Sequence, residues 1–244
     1  MIDASQTPMS EILPNFSKAF GQPLARVEQW FDELRADTSF LSALNAVIAD
    51  EPAFAGKQFR QIEELRPYRC LLYLLVRAAR PAHMVETGVH NGLGTAFILL
   101  AMKHNVAGQL HSIDLPPQDE RMLAQGNRAM PPEKISGWLI PENLRERHEL
   151  LLGRAETLLP EVLGRLGAID VFLHDSDHSY AHMAFELGLA WSYLRPGGYC
   201  VCDNVEANAL WSDFTRGVQA PNWMFHSFNS ASRVWAHGLL RKPT

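Results

Sequence analysis

The chain has 244 residues, 47% of them hydrophobic and 20% charged, and a net charge of -5. That balance excludes an intrinsically disordered chain, and the absence of any Lys/Arg block argues against capture of nucleic acid or an anionic membrane. The longest apolar stretches, 71–76 and 96–102, fall far short of the roughly 20 residues of a membrane span, and the early acids of the amino terminus do not suit a secretory leader.

The first 65 residues predict amphipathic helices: Leu24, Val27, Trp30, Phe31 and Leu34 recur at helical spacing, and a second apolar stretch covers 40–48. A helix from Pro67 to Arg80 follows, with proline in its first turn and Pro81 stopping it. Beyond Pro81 the pattern alternates. AHMVETG and QLHSIDL read as strands around the helix LGTAFILLAMKH, and a polar segment runs over 116–142. HELLLG and IDVFLHD are strands around a helix over 156–166. A helix over 179–194 is broken by PGG before the strand YCVCDN, and WMFHSF and SRVWAHGLL are the last β-like stretches. Such alternation predicts an α/β protein with a doubly wound sheet, whose ligand sits at the carboxyl ends of the strands. The three cysteines, Cys70, Cys200 and Cys202, are too few for a disulfide framework and suit a reducing cytoplasm. Cys200 and Cys202 share a strand face and read as small buried apolar residues.

The strand ends carry the polar residues. Glu86-Thr87-Gly88-Val89-His90-Asn91-Gly92-Leu93-Gly94 lets the backbone turn closely past a ligand, with the following helix aiming amide groups at it. Its glycine spacing is not that of a dinucleotide pyrophosphate loop. Asp114, 28 residues after Glu86, can accept both hydroxyls of a ribose, or else cap the next segment. The two acids suit a ligand bearing a sulfonium and an ammonium. Asp175, Asp203 and Asn204 follow neighbouring strands and form an oxygen half-shell suited to Mg²⁺. Helix capping is the alternative for these acids. His178, three residues after Asp175, is placed to act as general base. A zinc site at His174, His178 and His182 is the weaker reading, because His174 belongs to the strand end.

VETGVHNGLGT, SIDLP, GRAETLLP, VFLHDSDHSY and GGYCVCDNV resemble the successive motifs of class I S-adenosylmethionine-dependent methyltransferases. More narrowly they are similar to the metal-dependent O-methyltransferases, of the catechol type and of the bacterial branch acting on sugars and antibiotics. The resemblance covers about 66–240. It implies a Rossmann-like seven-stranded sheet with the last strand antiparallel, S-adenosylmethionine as cofactor, Mg²⁺, and a small-molecule acceptor. It also implies that Glu86, Gly88, His90, Gly92 and Gly94 line the methionine and ribose part of the cofactor, that Asp114 holds the ribose, and that Ala155, Glu156 and Ser176 lie beside adenine. Asp175, Asp203 and Asn204 match the metal ligands, with Asp175 and His178 as the catalytic residues; His178 stands where the catechol enzymes carry a lysine. The expected division is a helical lid over 1–65 and a cofactor-binding domain over 66–244, the lid being removable from a folded core. The aromatic residues of the lid suit a homodimer interface equally well. Two other functions fit the same motifs: attack on the cofactor's own aminobutyrate moiety, releasing methylthioadenosine, and cofactor binding without catalysis.

Overall fold

The computed structural model describes residues 9–65, 67–124, 133–228 and 234–244. Part of the polar 116–142 segment and the first two residues of SRVWAHGLL therefore lie outside the described residues. Three helices open the chain: α1 (Met9–Phe20), α2 (Leu24–Ala36) and α3 (Thr38–Ile48). Asp37 starts α3 by accepting the Phe40 N–H at 3.0 Å, the standard use of a short acidic side chain at a helix N-cap. The alternating part runs α4 (Pro67–Ala79), β1 (His83–Thr87), α5 (Leu93–Asn105), β2 (Gln109–Asp114), the short α6 (Glu120–Leu123), β3 (His148–Leu152), α7 (Ala155–Leu166), β4 (Ile169–His174), α8 (Tyr180–Tyr193), β5 (Leu194–Cys202), α9 (Leu210–Val218), β6 (Asn222–Phe228) and β7 (Val234–Arg241).

The strands form one seven-stranded sheet in the order β3-β2-β1-β4-β5-β7-β6, with β7 antiparallel to both of its neighbours and the other pairs parallel. This is the expected doubly wound architecture. Successive strand residues point to opposite faces, and the cores follow that alternation. Tyr199 and Val201 join the core under α1–α5, whereas Cys200 and Cys202 join the one under α7–α9. Both cysteines are buried thiols, as small apolar residues would be.

Two local expectations change. PGG does not separate α8 from β5: the strand begins at Leu194, directly after the helix, and the glycines lie within it. The β4–β5 register jumps there, Ile169 pairing with Leu194 and Val171 with Tyr199, so four residues of β5 face the single Asp170. Asp170 uses this bulge, taking the Arg195 guanidinium at 2.9 Å and the N–H groups of Ala82 and His83 at 2.8 and 2.9 Å, which anchors the start of β1. Second, the amino-terminal helices are built into the sheet's own core. Phe16 and Phe20 of α1 pack on Phe225 of β6 and Tyr199 of β5, and Phe40 of α3 packs edge-on against Phe97 of α5.

Candidate functional site

The strand order reverses between β1 and β4, and a crevice at such a switch point admits ligands. A cavity of about 1250 Å³ opens there. Its wall is formed by Gly88, His90 and Asn91 after β1, Asp114 and Leu115 at β2, Gly153, Ala155 and Glu156 after β3, Asp175, Ser176 and Asp177 after β4, and Asn204 after β5.

Close backbone approach at the switch point explains Gly88. Its φ is +86°, and a Cβ there would lie 2.0 Å from the Asp175 carbonyl oxygen. The Asp175 N–H donates to Thr87 O at 2.9 Å, so the two loops are laced together. The turn continues through His90, whose φ of +49° directs its N–H onto Asp114 Oδ2 at 2.6 Å, while the Leu115 N–H donates to Oδ1 at 2.8 Å. Each carboxylate oxygen has a second lone pair, so Asp114 is fixed in place and still able to accept a ribose hydroxyl. The polar wall and this fixed carboxylate fit an adenosine-bearing cofactor.

Glu86, Gly92 and Gly94 are not on this wall, and each has a packing partner instead. Glu86 is buried, accepting hydroxyl hydrogens from Thr95 at 3.1 Å and Ser112 at 2.7 Å. Burial pushes its carboxyl up to about 7, even though the two hydroxyls pull the other way. Gly92, at φ +84°, lets the chain pass Gly137, whose Cα would be 2.6 Å from a Cβ. Gly94 faces Leu72 of α4.

Asp175 and Asp203 follow the paired ends of β4 and β5. One oxygen of each and one ring nitrogen of His178 lie within 4.8 Å of one another. His237 of β7 donates from Nδ1 to Asp203 Oδ1. Burial and the adjoining Asp203 charge hold the Asp175 carboxyl well above the ordinary carboxylate range. Burial would raise Asp203 too, but the hydrogen bond and charge of His237 outweigh it and lower the group. Two carboxylates forced together in this way have the donor chemistry of a divalent cation site. Asn204 follows in a left-handed conformation, φ +49°, on the cavity wall, its Nδ2 donating to Glu206 at 3.2 Å. Asn208 Nδ2 donates to the His178 carbonyl at 2.8 Å, and His178 Nε2 is buried with no hydrogen-bond partner. Burial, reinforced by His174, lowers the pKa of the His178 ring.

The three histidines of the zinc reading do not converge. His174 Nδ1 and His182 Nε2 both turn to the carboxylate of Glu186, at 2.6 and 2.8 Å. Glu186 is fully buried and also accepts from Thr87 Oγ1 at 2.5 Å and Ser176 Oγ at 3.0 Å. Burial alone would raise it, yet these donors lower it to about 2. Glu156 reaches the cavity wall while paired with Arg121 Nη1 at 2.6 Å.

Residues 85–205 match the model of a family described as a methyltransferase domain. The chain carries a class I methyltransferase domain. In fold it is similar to the O-methyltransferase TomG of Streptomyces achromogenes, involved in tomaymycin synthesis and solved in complex with SAM. The identity is 19%, with 88% of this chain and 98% of that one covered and a TM-score of 0.56. The O-methyltransferase of Bacillus cereus in complex with SAH is similar at 16% identity, 88% and 100% coverage and a TM-score of 0.57. The SAH-bound methyltransferase PaMTH1 of Podospora anserina is similar at 14%, 88%, 93% and 0.50. No curated relative matches the chain in sequence.

Several residues of this candidate site escape sequence reasoning. Phe54, from the segment before α4, and Arg69 of α4 reach the cavity from outside the strand–helix alternation. Tyr68 stacks on His237 with ring centroids 4.0 Å apart, backing the imidazole that holds Asp203. His237 did leave a signal, as a lone polar side chain in the apolar run VWAHGLL. Glu186 left none, because a helix acid reads as solvated until its partners are known.

Proposed function

We propose that this methyltransferase moves the methyl group of S-adenosylmethionine onto a hydroxyl oxygen of a small molecule, with a divalent cation at Asp175 and Asp203. The observation that carries the reading is the Asp175–Asp203 pair at the edge of a cavity that also contains the fixed Asp114 carboxylate. When bound, the cofactor supplies an electrophilic methyl and the cation makes the acceptor hydroxyl more acidic. The chain's own residues do the rest. Asp114 holds the ribose; Gly88 and His90 carry the backbone past the cofactor's tail; Ala155, Glu156 and Ser176 flank the base. Asp175, Asp203 and Asn204 are the oxygen donors that by themselves suit Mg²⁺. Orientation is the main catalytic resource, because in-line attack on the C–S bond asks chiefly for a held nucleophile. The amino-terminal segment covers the acceptor side, with Phe54 on the cavity wall.

Asp203→Ala tests the reading. The variant is expected to bind S-adenosylmethionine with nearly the wild-type Kd and to lose methyl transfer by about a hundredfold or more in a screen of hydroxylated acceptors. Undiminished wild-type turnover in excess chelator would sink the metal reading. Release of methylthioadenosine from S-adenosylmethionine with no acceptor present would replace methyl transfer with attack on the cofactor itself.

A further inference from the structure

Resting on the cation site proposed above, we infer that His178 is itself a metal ligand, which makes the centre a two-carboxylate, one-imidazole site for a first-row transition ion. One of its nitrogens lies within 4.8 Å of oxygens from both Asp175 and Asp203, which are themselves within that distance of each other. Of the neighbouring imidazoles, His182 Nε2 and His174 Nδ1 face Glu186 and His237 Nδ1 faces Asp203, while His174 Nε2, like His178 Nε2, is buried without a partner but lies outside the cluster with the two carboxylates. His178 is held in register by its backbone. Its carbonyl takes the Asn208 amide at 2.8 Å, and the N–H of the next residue, Ser179, donates to Asp177 Oδ1 at 2.8 Å. Its ring packs edge-on against His174 with centroids 5.3 Å apart, yet its Nε2 is buried without a hydrogen-bond partner, which leaves a polar atom for an ion to satisfy. Imidazole nitrogen is a poor donor to Mg²⁺ and an increasingly good one from Mn²⁺ along the first-row divalent ions, so adding it to two carboxylates shifts preference away from Mg²⁺. A nitrogen lone pair on the ion cannot also take a proton, and the ligand role therefore displaces the base role expected from the sequence.

The test uses the metal alone on the metal-stripped full chain, with Mn²⁺ and Mg²⁺ titrated by calorimetry and bound Mn²⁺ studied by electron spin-echo envelope modulation. Wild type is expected to bind Mn²⁺ at least about tenfold more tightly than Mg²⁺ and to show nitrogen modulation. His178→Gln should lose that modulation and most of the Mn²⁺ preference, with an unchanged circular dichroism spectrum and unchanged S-adenosylmethionine Kd. Mn²⁺ bound in wild type, absent in Asp203→Ala, but with nitrogen modulation that survives His178→Gln would overturn the ligand role and leave the carboxylate site standing. Mn²⁺ binding that Asp203→Ala does not change would overturn both.

Discussion

Glu86 shows how a residue can be placed at a strand end by sequence while its hydrogen-bond partners stay hidden. Its position at the end of β1 is legible, but the hydroxyls that claim its carboxylate come from Thr95 on α5 and Ser112 on β2, which only folding brings together. Ser112 gives its proton to Glu86 and so accepts from His148 Nε2, at 3.0 Å, linking two shifted groups. The Glu86 carboxyl is raised from 4.5 to about 7, so its contribution to stability is full below 4.5 and is lost as pH rises through 7. His148 is lowered from 6.5 to about 4, chiefly by burial, so its contribution is present above 6.5 and is lost as pH falls through 4. Between these limits the two trends oppose each other. Glu86→Gln should therefore expose a loss of stability on acidification from 6.5 to 4, and His148→Gln a loss on raising the pH from 4.5 to 7. Each slope is at most about 1.4 kcal/mol per pH unit. Urea midpoints measured across pH 4 to 7.5 check this, and parallel profiles for wild type and both variants would contradict it.

At the scale of elements, the cavity exists because β1 and β4 run side by side and their loops touch before diverging. Gly88→Ala places a methyl group against the Asp175 carbonyl and puts a side chain at φ +86°. The cost expected is about 1–3 kcal/mol of strain, read as a fall in Tm, together with loss of S-adenosylmethionine binding in calorimetry. A variant that binds normally would show that the loop can shift without closing the site. The glycine itself was legible in VETG, but the contact that requires it joins residues far apart in sequence. The β5 bulge teaches the same lesson. PGG is a breaker in a local reading, yet Asp170 of the neighbouring strand holds the Arg195 side chain across the bulge, and the Lys242 backbone bonds that of Gly197 and Gly198.

At the scale of the molecule, the amino-terminal helices share one core with α4, α5 and a face of the sheet. Deleting residues 1–65 would uncover Phe97, Tyr199 and Phe225, each packed against a phenylalanine of that segment. Removing even one buried phenylalanine side chain typically costs about 3–5 kcal/mol. The truncated chain is therefore expected to be insoluble or to lose its cooperative thermal transition, and a soluble fragment with a wild-type Tm would restore the picture of a removable lid. By itself the sequence determined the strand–helix alternation, the sheet class and the acids at the strand ends, because periodicity and local turn chemistry are written in neighbouring residues. It also determined that Asp175, His178 and Asp203 share one end of the sheet. Only the tertiary structure decided that His237 holds Asp203, that Glu186 claims His174 and His182, and that Glu86 faces hydroxyls. Those partners come from elements with no fixed sequence separation, and burial, which sets their pKa values, is a property of the packed whole.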